Sequence, residues 1–134
     1  MESEFITWLR ERLPPDPRLR LGAGDDAAVL RMAAGLDCVV TSDLLTDQVD
    51  FRLEECDPRR VGRKALAVNL SDLASMGARP VAAVVSLALP DGPSAYELAV
   101  ALYEGMLPLA REYACPIAGG DTNCWPGGLV ISIT

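Results

Sequence analysis

Asp57-Pro-Arg-Arg-Val-Gly-Arg-Lys-Ala-Leu-Ala-Val-Asn-Leu-Ser-Asp-Leu-Ala-Ser-Met-Gly-Ala-Arg-Pro80 reads as one long helix around which the rest of the chain is organised. Asp57 suits the capping position, Pro58 the first helical position, where a missing N–H goes unnoticed, and Gly77 followed by Pro80 ends the run. At about 100° per residue, Val61, Ala65, Val68, Asn69, Asp72 and Met76 share one face, while Leu66, Leu70 and Leu73 form a second apolar stripe. Asp72 falls inside the first stripe with no Lys or Arg beside it, and an unpaired ionised carboxylate there would lose several kcal/mol of solvation. Two readings stand: Asp72 and Asn69 cap a neighbouring loop, or a cation sits against Asp72.

Working outward, 134 residues of which 50% are hydrophobic make one domain with a real core. The net charge of -7 and the absence of histidine argue against a nucleic-acid partner, which needs clustered Lys and Arg, and suit metal cations. The longest apolar runs are far too short for a membrane span, and the N-terminus is acidic and amphipathic rather than a basic signal segment; a cytoplasmic protein is expected. Cys38, Cys56, Cys115 and Cys124 are widely spaced, which indicates neither a zinc knuckle nor a disulfide framework.

Residues 2–13 place Phe5, Ile6, Leu9 and Leu13 on one helical face before Pro14 and Pro15. The glycine-rich turn at 21–30 carries Asp25 and Asp26 into a short strand. Gly22, Gly24 and Ala27 fit a loose dinucleotide fingerprint, but no strand is legible before them and two acids would repel a pyrophosphate, so that reading is rejected. Either a metal ion lies between these acids and a phosphate, or this is a plain Asp-rich turn. Residues 36–43 read as a strand ending in Thr41, Ser42 and Asp43, which are ligands or a turn opener. Residues 44–55 read as a loop or edge strand with Asp47 and Asp50 exposed, and 81–89 as a strand buried on both faces. Ser94 and Glu97 are spaced as a capping box for a second long helix, kinked at Pro108, whose inner face is Leu98, Leu102, Met106, Leu109 and Tyr113. Gly119 and Gly120 then precede Asp121 at a strand end, where backbone can approach a phosphate. The last strand, 129–134, runs to the final residue, from which a truncated chain is expected.

Asp25, Asp26, residues 41–43, Asp72 and Asp121 offer only hard oxygen donors, which select Mg²⁺ or Ca²⁺ over zinc or copper. No Gly-x-x-x-x-Gly-Lys-Ser/Thr loop is present, which excludes an ordinary P-loop. Gly24-Asp25-Asp26, Thr41-Ser42-Asp43, the Lys64–Ala78 run Lys-Ala-Leu-Ala-Val-Asn-Leu-Ser-Asp-Leu-Ala-Ser-Met-Gly-Ala and Gly119-Gly120-Asp121-Thr122 occur in that order. Taken together, these motifs resemble the thiamine-monophosphate kinase family over nearly the whole chain; the long helical motif is the specific one. The resemblance implies the amino-terminal domain of the superfamily that includes aminoimidazole ribonucleotide synthetase. That is an α+β domain with a mixed sheet backed by two long helices, dimerising through its sheets, with ATP bound beside the interface. It implies Mg²⁺ ligands at Asp26, Thr41, Ser42, Asp43, Asp72 and Asp121, with Asp25 standing next to the set. It also implies ATP contacts at Tyr103, Gly120 and Asp121.

Two departures matter. The family's Gly-x-His-Phe loop, which meets the substrate phosphate, is matched here by Gln48, Val49, Asp50 and Phe51, so Asp50 stands at the substrate position. The family also continues into a carboxy-terminal domain beyond the 134 residues of this chain. The reading is therefore an ATP- and Mg²⁺-dependent kinase of thiamine monophosphate, acting as a homodimer, with this chain as the amino-terminal half. Asp50 leaves four readings open: it points away and Arg52 or another base takes the substrate phosphate, which is the favoured one; it reaches a metal ion; it faces the cationic thiazolium; or the acceptor differs, as in a related enzyme. The chain's length leaves open a non-catalytic dimerisation or nucleotide-binding module.

Overall fold

The computed structural model describes residues 2–134. Helix α1 spans Glu2–Arg10, a short hairpin is made of β1 (Leu19–Leu21) and β2 (Val29–Leu30), and β3 spans Asp43–Thr46. A single 3₁₀ turn at Leu53–Glu55 leads into α2 (Pro58–Ser75), followed by β4 (Ala83–Pro90), α3 (Ala95–Glu112), β5 (Ile117–Trp125) and β6 (Val130–Ile133). The main sheet runs β3-β6-β4-β5; β6 is antiparallel to both neighbours and β4 is parallel to β5, so the sheet is mixed.

Helix α2 ends where its local chemistry says it should. The Asp57 carboxylate accepts the Arg59 N–H at 2.9 Å, and Gly77 turns left-handed at φ 65°. The Gly77 N–H then reaches the Ala74 carbonyl (3.0 Å) and the Ala78 N–H the Leu73 carbonyl (2.9 Å), which satisfies two otherwise orphaned acceptors. Its buried residues are Val61, Gly62, Ala65, Leu66, Asn69 and Leu70. Asp72 and Met76 point in the same direction by phase but lie in the last turn, beyond the elements that cover the helix, and both are exposed, Met76 at 68%. Asp72 is thus not a buried carboxylate within an apolar stripe. Asn69 is the buried polar residue of α2: its amide donates to the Ala65 carbonyl at 3.0 Å, while its Oδ1 has no partner among the described residues.

Helices α2 and α3 cross backbone to backbone. A methyl group on Gly62 would run into the Leu102 carbonyl, and one on Gly105 into the Arg59 carbonyl, so no larger residue fits at either position. From α1, Phe5 and Leu9 enter the core, and the Phe5 ring meets Tyr103 edge-on at 5.3 Å.

Four expectations are corrected. β4 is buried on one face only: Ala83, Val85, Leu87 and Leu89 are covered, while Val84 is 40% exposed, because both long helices lie on the same side of the sheet. Within the run 36–43 strand pairing begins only at Asp43; Thr41 and Ser42 before it are engaged through their side chains, and no described strand pairs with their backbone. The Ser94–Glu97 capping box does not form, because Ser94 sits at φ -96°, ψ 8°, where its side chain accepts no amide, although α3 does continue through Pro108. Tyr113 is the residue that closes α3 and is exposed rather than inward.

Candidate functional site

A cavity of about 640 Å³ opens between the glycine-rich turn and the sheet. Residues 22–28 form one wall, Phe5, Ile6, Leu9 and Tyr103 form the apolar end, and Val84, Ser86 and residues 118–122 form the floor. The short strand β1 does precede the turn, contrary to the sequence reading, yet it pairs antiparallel with β2 and no helix follows, so this is no dinucleotide fold. Its residues come together for local reasons. Gly120 adopts φ 157°, and a methyl group there would strike the Val85 carbonyl, so β5 lies tight against β4 and leaves bare backbone toward the cavity. Asp25 Oδ1 accepts the Asp26 N–H at 2.8 Å, and Asp121 Oδ1 accepts the Thr122 N–H at 2.9 Å, so each carboxylate is steadied by the next peptide. Tyr103 is 2% exposed, and burial pushes its phenol well above the usual value, so it is neutral.

Of the sequence-predicted residues, Asp25, Asp26, Tyr103, Gly120 and Asp121 share this cavity. The others form a second group. Thr41 Oγ1 donates to Asp72 Oδ2 at 3.0 Å, Ser42 and Thr134 share a hydroxyl hydrogen bond at 3.0 Å, and Asp43 opens β3 opposite Ile133. Among the described residues no three His, Cys, Asp or Glu side chains are gathered closely enough to hold a metal ion. The uncovered face of the sheet bridges the two groups: Asp121 is in register with Ser86, and Ser86 with Ser132. Sequence reasoning missed Ser86 and Ser132. Their signal was a hydroxyl interrupting an otherwise apolar strand, in Val84-Val85-Ser86-Leu87 and Val130-Ile131-Ser132-Ile133.

Asp50 lies in a separate turn. Its carboxylate accepts the Thr46 N–H at 2.7 Å, and Asp47 Oδ1 accepts the N–H groups of Gln48 and Leu53, both at 2.9 Å. Arg52 is paired with Glu55 at 2.9 Å, whereas Lys64 reaches across from α2 to donate to the Asp50 carbonyl. The cation that touches this turn is therefore Lys64, a residue the sequence reading left without a role.

Residues 24–134 match the family model described as AIR synthase related protein, N-terminal domain. A thiamine-monophosphate kinase of Rhodopirellula baltica is 44% identical over 141 residues, which takes in 100% of this chain and 44% of that protein. The chain thus spans less than half the length of that relative. The crystal structure of thiamine-monophosphate kinase from Stenotrophomonas maltophilia superposes with a TM-score of 0.80 at 38% identity, over 96% of this chain and 40% of that one. AaThiL complexed with AMPPCP and TMP matches 69% of this chain and 29% of its own at a TM-score of 0.62 and 34% identity.

Proposed function

The chain belongs to the AIR synthase related protein family, matching its N-terminal domain, and on that premise we propose that it supplies the ATP-binding half of a thiamine-monophosphate kinase. The reaction moves the γ-phosphoryl group of ATP onto the phosphate of thiamine monophosphate, giving thiamine diphosphate; the acceptor is already an anion, so no general base is required. The observation that carries the reading is the cavity. Its apolar end at Phe5 and Tyr103 suits a base, the bare backbone at Gly120 suits a phosphate, and Asp25, Asp26 and Asp121 supply hard oxygen between them. The similarity to AaThiL, which was solved with AMPPCP and TMP, supports the same ligand pair here.

The donors are carboxylate and hydroxyl oxygens throughout, a chemistry that suits Mg²⁺. Asp26 and Asp121 in the cavity and Thr41, Ser42, Asp43 and Asp72 in the second group would hold it together with phosphate oxygens, since among the described residues neither group gathers three acidic side chains closely enough to hold an ion by itself. When bound, Mg²⁺ would offset the charge of the phosphate chain. In this reading the Asp50 turn faces the acceptor, with Asp50 shaping the turn and Lys64 supplying the positive charge there. All four cysteines are free, which supports a reducing, cytoplasmic setting, and no helix among the described residues is long and apolar enough to cross a membrane.

Calorimetric titration of ATP into the chain tests the reading: binding should require Mg²⁺ and be weakened at least tenfold by Asp121→Asn with the fold intact. Equal binding in Mg²⁺ and in EDTA would overturn it.

A further inference from the structure

Beside the main cavity lies a smaller one of about 230 Å³, sharing Gly22 and Ala23 with it and bordered by Arg10, Leu13, Pro14, Pro15, Asp16, Leu19 and Ile117. Arg10 is the only cationic side chain among the described residues that line either cavity, while the larger one carries Asp25, Asp26 and Asp121. Its neighbours of the same charge are occupied: Arg12 lies over the Trp8 ring and Arg18 is paired with Asp16. Arg10 is exposed, in the last turn of α1, and among the described residues no hydrogen bond or ion pair engages its guanidinium.

The chain makes room for this side chain. Gly24, at φ 116°, has no Cβ; one built there would stand 2.8 Å from Arg10 Nε and 2.9 Å from Arg10 Cζ. The guanidinium therefore lies against Gly24, which lines the larger cavity and leads into Asp25 and Asp26. An ATP phosphate chain entering that cavity meets three carboxylates, and Arg10 is the unengaged positive charge beside its path. A planar guanidinium also offers paired N–H donors that match two oxygens of one phosphate.

We propose that Arg10 binds the phosphate chain of the nucleotide, acting as an anion clamp for which Gly24 leaves the room. The proposal rests on the nucleotide reading of the cavity and adds a residue from the N-terminal helix to it. Because the clamp touches phosphate and not the base, its loss falls on anionic ligands alone.

The test titrates the 134-residue chain with Mg²⁺-ATP, with inorganic tripolyphosphate and with adenosine. Arg10→Gln should weaken ATP and tripolyphosphate about tenfold, the share of one charge-assisted pair, and leave adenosine unchanged. Arg10→Lys should fall between, and Gly24→Ala, which crowds the guanidinium without removing it, should behave like Arg10→Gln. If wild-type protein binds ATP and Arg10→Gln binds it equally well, or if adenosine weakens as much as ATP, the clamp is wrong and the nucleotide reading survives. If wild-type protein binds neither ATP nor tripolyphosphate, both fall together.

Discussion

Gln48 holds a left-handed backbone, φ 70°, in the turn that presents Asp50. A residue with a Cβ is strained there, and the turn persists because its neighbours over-determine it: Asp47 accepts from Gln48 and Leu53, Asp50 accepts from Thr46, and the Gln48 N–H donates to the Phe51 carbonyl at 2.7 Å. Gln48 also stands where the resembling family keeps glycine. Gln48→Gly should therefore stabilise the chain by about 1 kcal/mol, relieving that strain at the expense of some unfolded-state entropy. A shifted urea midpoint at constant slope would show it; an unchanged or lowered midpoint would mean that the turn carries no strain. Asp50, expected at the substrate position, spends one carboxylate oxygen on a hydrogen bond from the turn's own backbone, the Thr46 N–H.

Among the elements, the segment between α1 and β1 is fastened by one ion pair. Arg18 Nε and Nη2 meet Asp16 Oδ1 and Oδ2 at 2.9 and 2.8 Å, and the same guanidinium donates to the Ala114 carbonyl at 2.7 Å and the Pro80 carbonyl at 3.2 Å. One side chain thus ties the N-terminal arm to the loops that precede β4 and β5. The Arg18 side-chain hydrogen bonds to Asp16 foremost, and then the Arg18 backbone N–H, which donates to Asp16 Oδ1 at 2.9 Å, hold the Asp16 carboxyl down at about 2, from a usual 3.8. A lowered carboxyl favours the folded state above the unfolded value, and that favour fades as pH falls from about 4 toward 2. Melting temperature should accordingly drop through this range in the wild type, and Arg18→Gln should flatten the drop. A variant that tracks the wild type at every pH would show that the pair does not couple to folding. This fastening was invisible in the sequence, because Arg18 finds partners 62 and 96 residues away. The ends of α2 were legible for the opposite reason, since Asp57, Pro58 and Gly77 act within their own turn. The solvation of Asp72 was not legible: helical phase follows from spacing alone, whereas burial depends on where the covering elements stop. The same limit explains the site. Asp26 and Asp121 were legible by residue type and motif and Tyr103 only through the family resemblance, but which of the acids share a cavity was decided by the pairing of β4 with β5 and β6.

At the scale of the whole molecule, one face of the sheet is covered by α2 and α3 and the other is open. Leu44 is 62% exposed and Val84 40% on the open side, and the unpaired run before β3 leaves Leu36 at 77% and Val40 at 71%. Exposed apolar side chains gathered on one face mark an interaction surface. We expect two copies to pair through these surfaces into a homodimer, burying the open face and adding strand partners to residues 36–42. Light scattering across micromolar concentrations should give twice the 14.3 kDa chain mass, and Leu44→Lys should halve it. A monodisperse monomer in the wild type would refute the pairing.

The crossing of α2 and α3 has a mechanical meaning. Where Gly62 meets the Leu102 carbonyl and Gly105 meets the Arg59 backbone, no flexible side chain stands between the two helices to absorb a shift. Tyr103 follows Leu102 directly, so the apolar end of the cavity is indexed to α2, the helix that carries Asp72 and Lys64. The crossing serves as a machinist's datum: the Tyr103 end of the cavity and the turn that Lys64 touches are both measured from these two bare contacts, and whatever tilts α2 re-registers both at once.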